Sequence, residues 1–276
     1  MVLTEAQFER AARQEEAQAR LATLYRMSSG ALHALLAGDP AEALVWVRAA
    51  AQAGFPAAQV RLGRMLLEGA GTPPDARGAY AWFARAARNG DSEAMNMEGR
   101  CHENGWGVPV DLERAAASYR ASAEAGHDWG RYNLGNLLFD GLGIASDPPQ
   151  ALRWFLLAAS QGHARAMNLV GRCLEEGWGC RRDCEQAGYW YGRSAESGYF
   201  RGQFNHALVL MERGAPQRAA EWLWRAACGG DHAMRTAIEA VLAATQHPAL
   251  CRVRARLLAL RVEAGGAAPE PRAISR

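Results

Sequence analysis

The chain has 276 residues, 49% of them apolar, and its 31 basic and 29 acidic side chains leave a net charge of +2. Such a balance argues against nucleic acid, which calls for a basic stripe or cluster, and Arg181-Arg182 is too short a run to supply one. No stretch approaches the ~18 apolar residues of a membrane span, and the first twenty residues lack the apolar core of a secretory signal, so a cytoplasmic chain without membrane contact is expected.

In chain order, residues 1–20 read as an amphipathic helix that caps the N-terminal end. From there a phrase Trp-Phe/Tyr-x-x-Ala/Ser-Ala-x-x-Gly recurs, closing at Gly54, Gly90, Gly126, Gly162 and Gly198 and then, after a shorter step, at Gly230. Gly-x-Gly pairs keep the same step at Gly69/Gly71, Gly105/Gly107, Gly141/Gly143 and Gly177/Gly179. A fixed period of this length means stacked supersecondary units rather than one globular core. The units are read as approximately 21–55, 56–91, 92–127, 128–163, 164–199 and 200–232. Within 57–91, Ala58, Leu62, Met65 and Leu66 take helical spacing up to Gly69. Thr72-Pro-Pro-Asp75 connects to a second helix with Ala79, Trp82, Phe83, Ala86 and Ala87 on one face. Asp39, Asp147 and Asp183 stand where N-caps belong. Two further helical runs, Met234–Ala244 and Ala249–Val262, are separated by His247-Pro248, and residues 233–264 are read as a C-terminal cap. Residues 265–276 are rich in Gly, Ala and Pro and are expected to be disordered.

Two sets of positions announce close packing. Gly63, Gly99, Gly135 and Gly171 fall mid-helix, where glycine costs about 1 kcal/mol against alanine; the simplest cause is a helix crossing too close for a side chain. Ala31 and Ala207 fill the same place in the shorter first and last units. Trp46, Trp82, Trp154, Trp190 and Trp222 share one repeat position, with Ser118 the exception, and are expected in the core. On that placement Trp154→Ala or Trp190→Ala costs about 3–5 kcal/mol.

Tyr132-Asn-Leu-Gly135, Gly141-Leu-Gly-Ile144, Gln150-Ala-Leu-Arg-Trp154-Phe155 and Ala158-Ala-Ser-Gln-Gly162 resemble the Sel-one-like repeat, a cousin of the tetratricopeptide repeat. The resemblance covers roughly residues 21–232. It implies an all-α fold, a right-handed α-solenoid of stacked αα-hairpins with a concave groove, and a role as adaptor or scaffold. The first and sixth units lack the Gly-x-Gly pair and are four residues shorter.

Within this repeat most chemically suggestive residues become packing residues. Cys101 and Cys173 align with Met65, Leu137 and Val209, and Cys180 with Val108 and Ile144. Free thiols in apolar positions are therefore expected rather than a metal site, for which Cys180-x-x-x-Cys184 lacks a second ligand pair. The Gly-x-Gly pairs follow helices, not strands, which removes the nucleotide-binding reading. His102, His163, His206 and His232 lie near expected helix ends and accompany no nucleophile motif. No catalytic residue, metal or cofactor is assigned.

In tetratricopeptide-like solenoids the first helix of each hairpin lines the groove. That pattern implies one row of Asn96, Tyr132, Asn168 and Phe204, a second of Arg64, Arg100, Asn136 and Arg172, and a third of Glu68, Asn104, Asp140 and Glu176. Asn and Arg suit the amides and carboxylates of an extended peptide. The plainer alternative is that Arg64–Glu68 and Arg172–Glu176 satisfy each other as i,i+4 pairs on a solvated face. The expected function is a non-catalytic, monomeric module binding a protein or peptide through Arg64, Asn96, Arg100, Tyr132, Asn136, Asp140, Asn168, Arg172 and Phe204. An immunity- or inhibitor-type protein that blocks an enzyme or toxin is the alternative. A hydrolase, an activity ascribed to some members of the family, ranks below both.

Overall fold

The computed structural model describes residues 5–266, all of whose secondary structure is helical. The expected tail lies outside the described residues from 267 onward, and the preceding helix runs through Gly266. The chain divides into two compact units, Met1–Asp147 and Pro148–Arg276. The first holds α1 (Glu5–Arg26), α2 (Ser29–Ala37), α3 (Pro40–Gln52), α4 (Pro56–Glu68), α5 (Ala76–Arg88), α6 (Ser92–Asn104), α7 (Leu112–Glu124) and α8 (Asp128–Asp140). The second holds α9 (Pro148–Ser160), α10 (Ala164–Glu176), α11 (Cys184–Glu196), α12 (Phe200–Glu212), α13 (Pro216–Gly229), α14 (His232–Leu242) and α15 (Pro248–Gly266). α1 thus continues past residue 20, the expected end of the capping helix.

Helix starts follow from the sequence. Asp39, Asp75, Asp91, Asp111, Asp183 and Asp231 accept backbone N–H groups in the first turns of α3, α5, α6, α7, α11 and α14. His127 and His163 do the same through Nδ1 for α8 and α10. The stops are glycines. Gly69, Gly105, Gly141 and Gly177 take left-handed backbone at the ends of α4, α6, α8 and α10. The second glycine of each pair has a different reason. A Cβ on Gly179 would lie 2.5 Å from the backbone of Pro148, and Gly71, Gly107 and Gly143 press as closely on the starts of α3, α5 and α7. Gly230 departs from its expected role, since it caps α13 in extended rather than left-handed backbone.

Packing repeats with the period. A Cβ on Gly63 would meet the Phe83 ring at 2.5 Å, on Gly99 the Tyr119 ring at 2.6 Å and on Gly171 the Tyr191 ring at 2.6 Å. Gly63, Gly99 and Gly171 therefore each seat an aromatic from the second helix of the same hairpin. That aromatic is the residue after the tryptophan position. Phe83, Tyr119, Phe155 and Tyr191 are at most 1% exposed, whereas Trp46, Trp82, Trp154, Trp190 and Trp222 are only half-buried. The expected tryptophan core is corrected on this point: the residue after the tryptophan faces the glycine, and the tryptophan one position earlier is turned about 100° around the helix and stays partly exposed. Ala207 is buried as expected, but Ala31 is exposed and marks no close crossing.

Polar side chains tie successive hairpins together and also join the two helices within a hairpin. Gln59 Nε2 donates to Ala51 O at 3.1 Å, Arg131 Nε to Ala123 O at 3.3 Å, and Arg235 Nε to Ala227 O at 3.0 Å. Ser122 Oγ donates to Ser92 O at 2.6 Å and Ser194 Oγ to Ala164 O at 2.7 Å. Ala51, Ala123 and Ala227 lie in the last turns of α3, α7 and α13, whose carbonyls have no intrahelical N–H four residues on, whereas Ser92 and Ala164 open α6 and α10.

Candidate functional site

The expected site residues fall into two groups, one in each unit. In the first, Arg64 of α4 is exposed but pairs with Glu93 of α6 rather than with Glu68. Asn96 is 5% exposed, and its Oδ1 accepts from Asn133 Nδ2 of α8 at 2.8 Å. Arg100 lies over the Trp106 indole at 4.9 Å, and Asn104 Nδ2 donates to Arg100 O at 2.9 Å. Tyr132 meets Trp129 edge-on at 5.9 Å; Asn136 is half-buried and Asp140 exposed.

The second unit repeats this arrangement. Asn168 is 5% exposed and accepts from Asn205 Nδ2 at 2.9 Å, while Arg172 lies over Trp178 at 5.1 Å. Phe204 is half-buried against the apolar cluster of α12–α15. Asn96 and Asn168 thus spend their acceptor oxygens on neighbouring helices, which leaves little of them for a ligand. Tryptophan covers one face of the Arg100 and Arg172 guanidinium groups, and Arg100 Nη1 donates to Met97 Sδ at 3.7 Å. Tyr119 Oη donates to Glu103, and Tyr191 Oη donates to Glu175 at 2.6 Å. Burial, then these bonds, push both phenols up, so each tyrosine stays neutral and holds its carboxylate beside the arginine.

Sequence reasoning passed over a cleft in the first unit. Its volume is about 890 Å³, with Leu21, Leu24, Leu36, Trp46, Phe55 and Met65 among its walls. Arg61, Arg64, Glu68 and Glu93 line it as well, so two expected row positions share its surface. A sealed dry void of that size would cost about 20 kcal/mol at ~24 cal/mol per Å³, above the ~5–15 kcal/mol of a whole domain, so the space is an open cleft.

The cysteines behave as their register implies. Cys101 and Cys173 are buried, and burial pushes their thiols up to about 12 and about 11. Among the described residues no three His, Cys, Asp or Glu side chains are grouped to hold a metal ion, and no helix is long and apolar enough to cross a membrane.

Two otherwise apolar registers carry polar groups whose register was not recognised. Glu98 and His206 occupy the place of Leu62, Leu134 and Val170, and His102 that of Leu66 and Leu138. His206 lies in the middle of α12 rather than near a helix end. Comparing each unit with the others at fixed register would have found all three.

The Sel1 repeat family model matches residues 15–55, 56–91, 92–127, 130–163, 164–199 and 201–231. The chain belongs to the Sel1-repeat family. Comparison with curated proteins yields no match. Among solved structures, a protective antigen of uropathogenic Escherichia coli with an SLR fold is 25% identical, at a TM-score of 0.70 over 94% of this chain. This Sel1-repeat chain spans 56% of that protein's length. A Sel1 repeat protein from Oxalobacter formigenes is 25% identical, at a TM-score of 0.75 over 84% of this chain and 97% of that one. An immunity protein from Pseudomonas aeruginosa, 16% identical at a TM-score of 0.51 over 76% of this chain and 82% of its own, shares the fold. The fold class is accordingly the all-α solenoid of Sel1 repeats. Proteins of this family generally mediate protein–protein interaction and are generally non-catalytic.

Proposed function

We propose that this chain is a non-catalytic adaptor whose partner, a protein segment or peptide, docks on the first helices of its hairpins. The observation that carries the reading is the apolar cleft of the first unit, with Arg64 and Glu68 on its wall. Apolar walls take an anchoring side chain, and the charged groups fix its orientation. Arg100 on Trp106 and Arg172 on Trp178 add polar contacts that are already ordered, which keeps the entropy cost of binding on the partner's side. The same reading takes the chain as a cytoplasmic monomer, without nucleic acid or membrane among its partners.

The test is affinity purification of the tagged chain from its native host beside two variants, Arg100→Glu/Arg172→Glu and the cleft-filling Ala50→Trp. Loss of the same co-purifying protein from both, with helical content unchanged, supports the reading. Equal recovery from both folded variants rejects it.

A further inference from the structure

We propose that His206, Arg213 and Arg218 of the second unit form a binding site for a tetrahedral oxyanion, the chemistry shared by inorganic phosphate and a phosphoryl ester. This site is independent of the docking face proposed above.

The first observation is one of register. His206 stands where other units place Leu62, Leu134 and Val170, each at most 1% exposed, so a polar ring replaces a core aliphatic. The second is a notch in α11. Gly188 and Gly192 lie one turn apart inside this helix, a poor place for glycine by propensity. A Cβ on Gly188 would stand 3.0 Å from Arg213 Nη2, and one on Gly192 would stand 3.5 Å from His206 Nδ1. The two glycines therefore let a guanidinium and an imidazole lie side by side against the helix.

The third observation is uncompensated positive charge. Among the described residues no carboxylate forms an ion pair with Arg213 or Arg218. Both arginines are near enough to His206 to disfavour its protonation, after burial, and Glu196 is the acidic group that opposes them. His206 Nδ1 is buried without a hydrogen-bond partner. Trp222 holds the ring edge-on at 5.5 Å, with Arg225 over the indole at 4.6 Å. Arg218 sits in the first turn of α13, whose N-cap Ala215 offers no side-chain acceptor, whereas aspartates cap α3, α5, α7 and α11. The guanidinium of Arg213 and the imidazole of His206 on the α11 notch, with Arg218 acting on the same ring from the first turn of α13, match the several acceptor oxygens of a phosphoryl group.

The experiment titrates the His206 ring by NMR in the full chain, with inorganic phosphate, phenyl phosphate and sodium chloride added separately at matched ionic strength. A bound anion offsets the arginines, so phosphate is expected to raise the His206 midpoint saturably. The rise should shrink in Arg218→Gln and vanish in Arg213→Gln/Arg218→Gln, with circular dichroism confirming that both stay helical. A response to phenyl phosphate equal to that for phosphate supports a site open to phosphoryl esters. A response to phosphate alone supports the same site restricted to the free anion. An equal shift with chloride, or a full phosphate shift in the folded double variant, overturns the proposal.

Discussion

At the scale of single residues, the informative contrast is between neighbours in the chain. Tyr191 is buried with its hydroxyl on Glu175, while Trp190 lies half-exposed beside it. Tyr191→Ala should cost about 3–5 kcal/mol, as for buried aromatics, and Trp190→Ala about 1–3 kcal/mol; urea midpoints of the two variants measure the order. Gly171→Ala tests the seat itself. Helix propensity favours alanine by about 1 kcal/mol, but the new Cβ meets a ring pinned at its far end, and overpacking costs ~1–3 kcal/mol. A net loss is expected, and a variant more stable than the parent would refute the close approach. The thiols give a separate check. Cys184 and Cys228 are exposed and should react with an aromatic disulfide reagent at pH 8, whereas Cys101 and Cys173 should react only on unfolding.

At the scale of elements, α6 is the helix that breaks its own pattern. It places Glu98 and His102 where α4 and α8 carry leucine, beside Tyr80 of α5, whose ring meets His102 at 5.4 Å. Burial raises the Glu98 carboxyl above its usual value of 4.5, with His102 and Arg88 opposing the shift. The folded state therefore holds this proton more tightly than the unfolded chain does. Glu98 contributes stability below its ordinary value, and that contribution is lost as pH rises through the raised one. Glu98→Leu should stabilise the chain at neutral pH and flatten the dependence of melting temperature on pH above 4.5; an unaltered profile would place the carboxylate in solvent. Helix limits were legible in the sequence because caps are local: Asp39 and Asp183 act on residues two or three positions on. The partners of Arg64 were not legible. Spacing offered Glu68 on the same helix, but the guanidinium reaches Glu93 on α6, a choice set by how two helices stack.

At the scale of the whole molecule, the helices within each unit pack mainly on their immediate neighbours in the chain, so stability inside a unit is a sum of local interfaces rather than one core. A terminal helix has neighbours on one side only. Native-state hydrogen exchange should therefore find α1, α2, α14 and α15 the least protected and α6, α7, α10 and α11 among the most; uniform protection would contradict a stacked array. The sequence by itself determined the period, the glycine stops of α4, α6, α8 and α10, the all-α class and the burial of Cys101 and Cys173, because these depend on contacts repeated at fixed register. Only the tertiary structure decided which ring fills the seats at Gly63, Gly99 and Gly171, that Asn96 and Asn168 bond to the first helix of the next hairpin, and that Arg213 and His206 each lie against a glycine of α11. The physical reason is distance along the chain. A repeat dictates which positions face inward, but which partner a long polar side chain selects depends on where neighbouring helices bring its atoms.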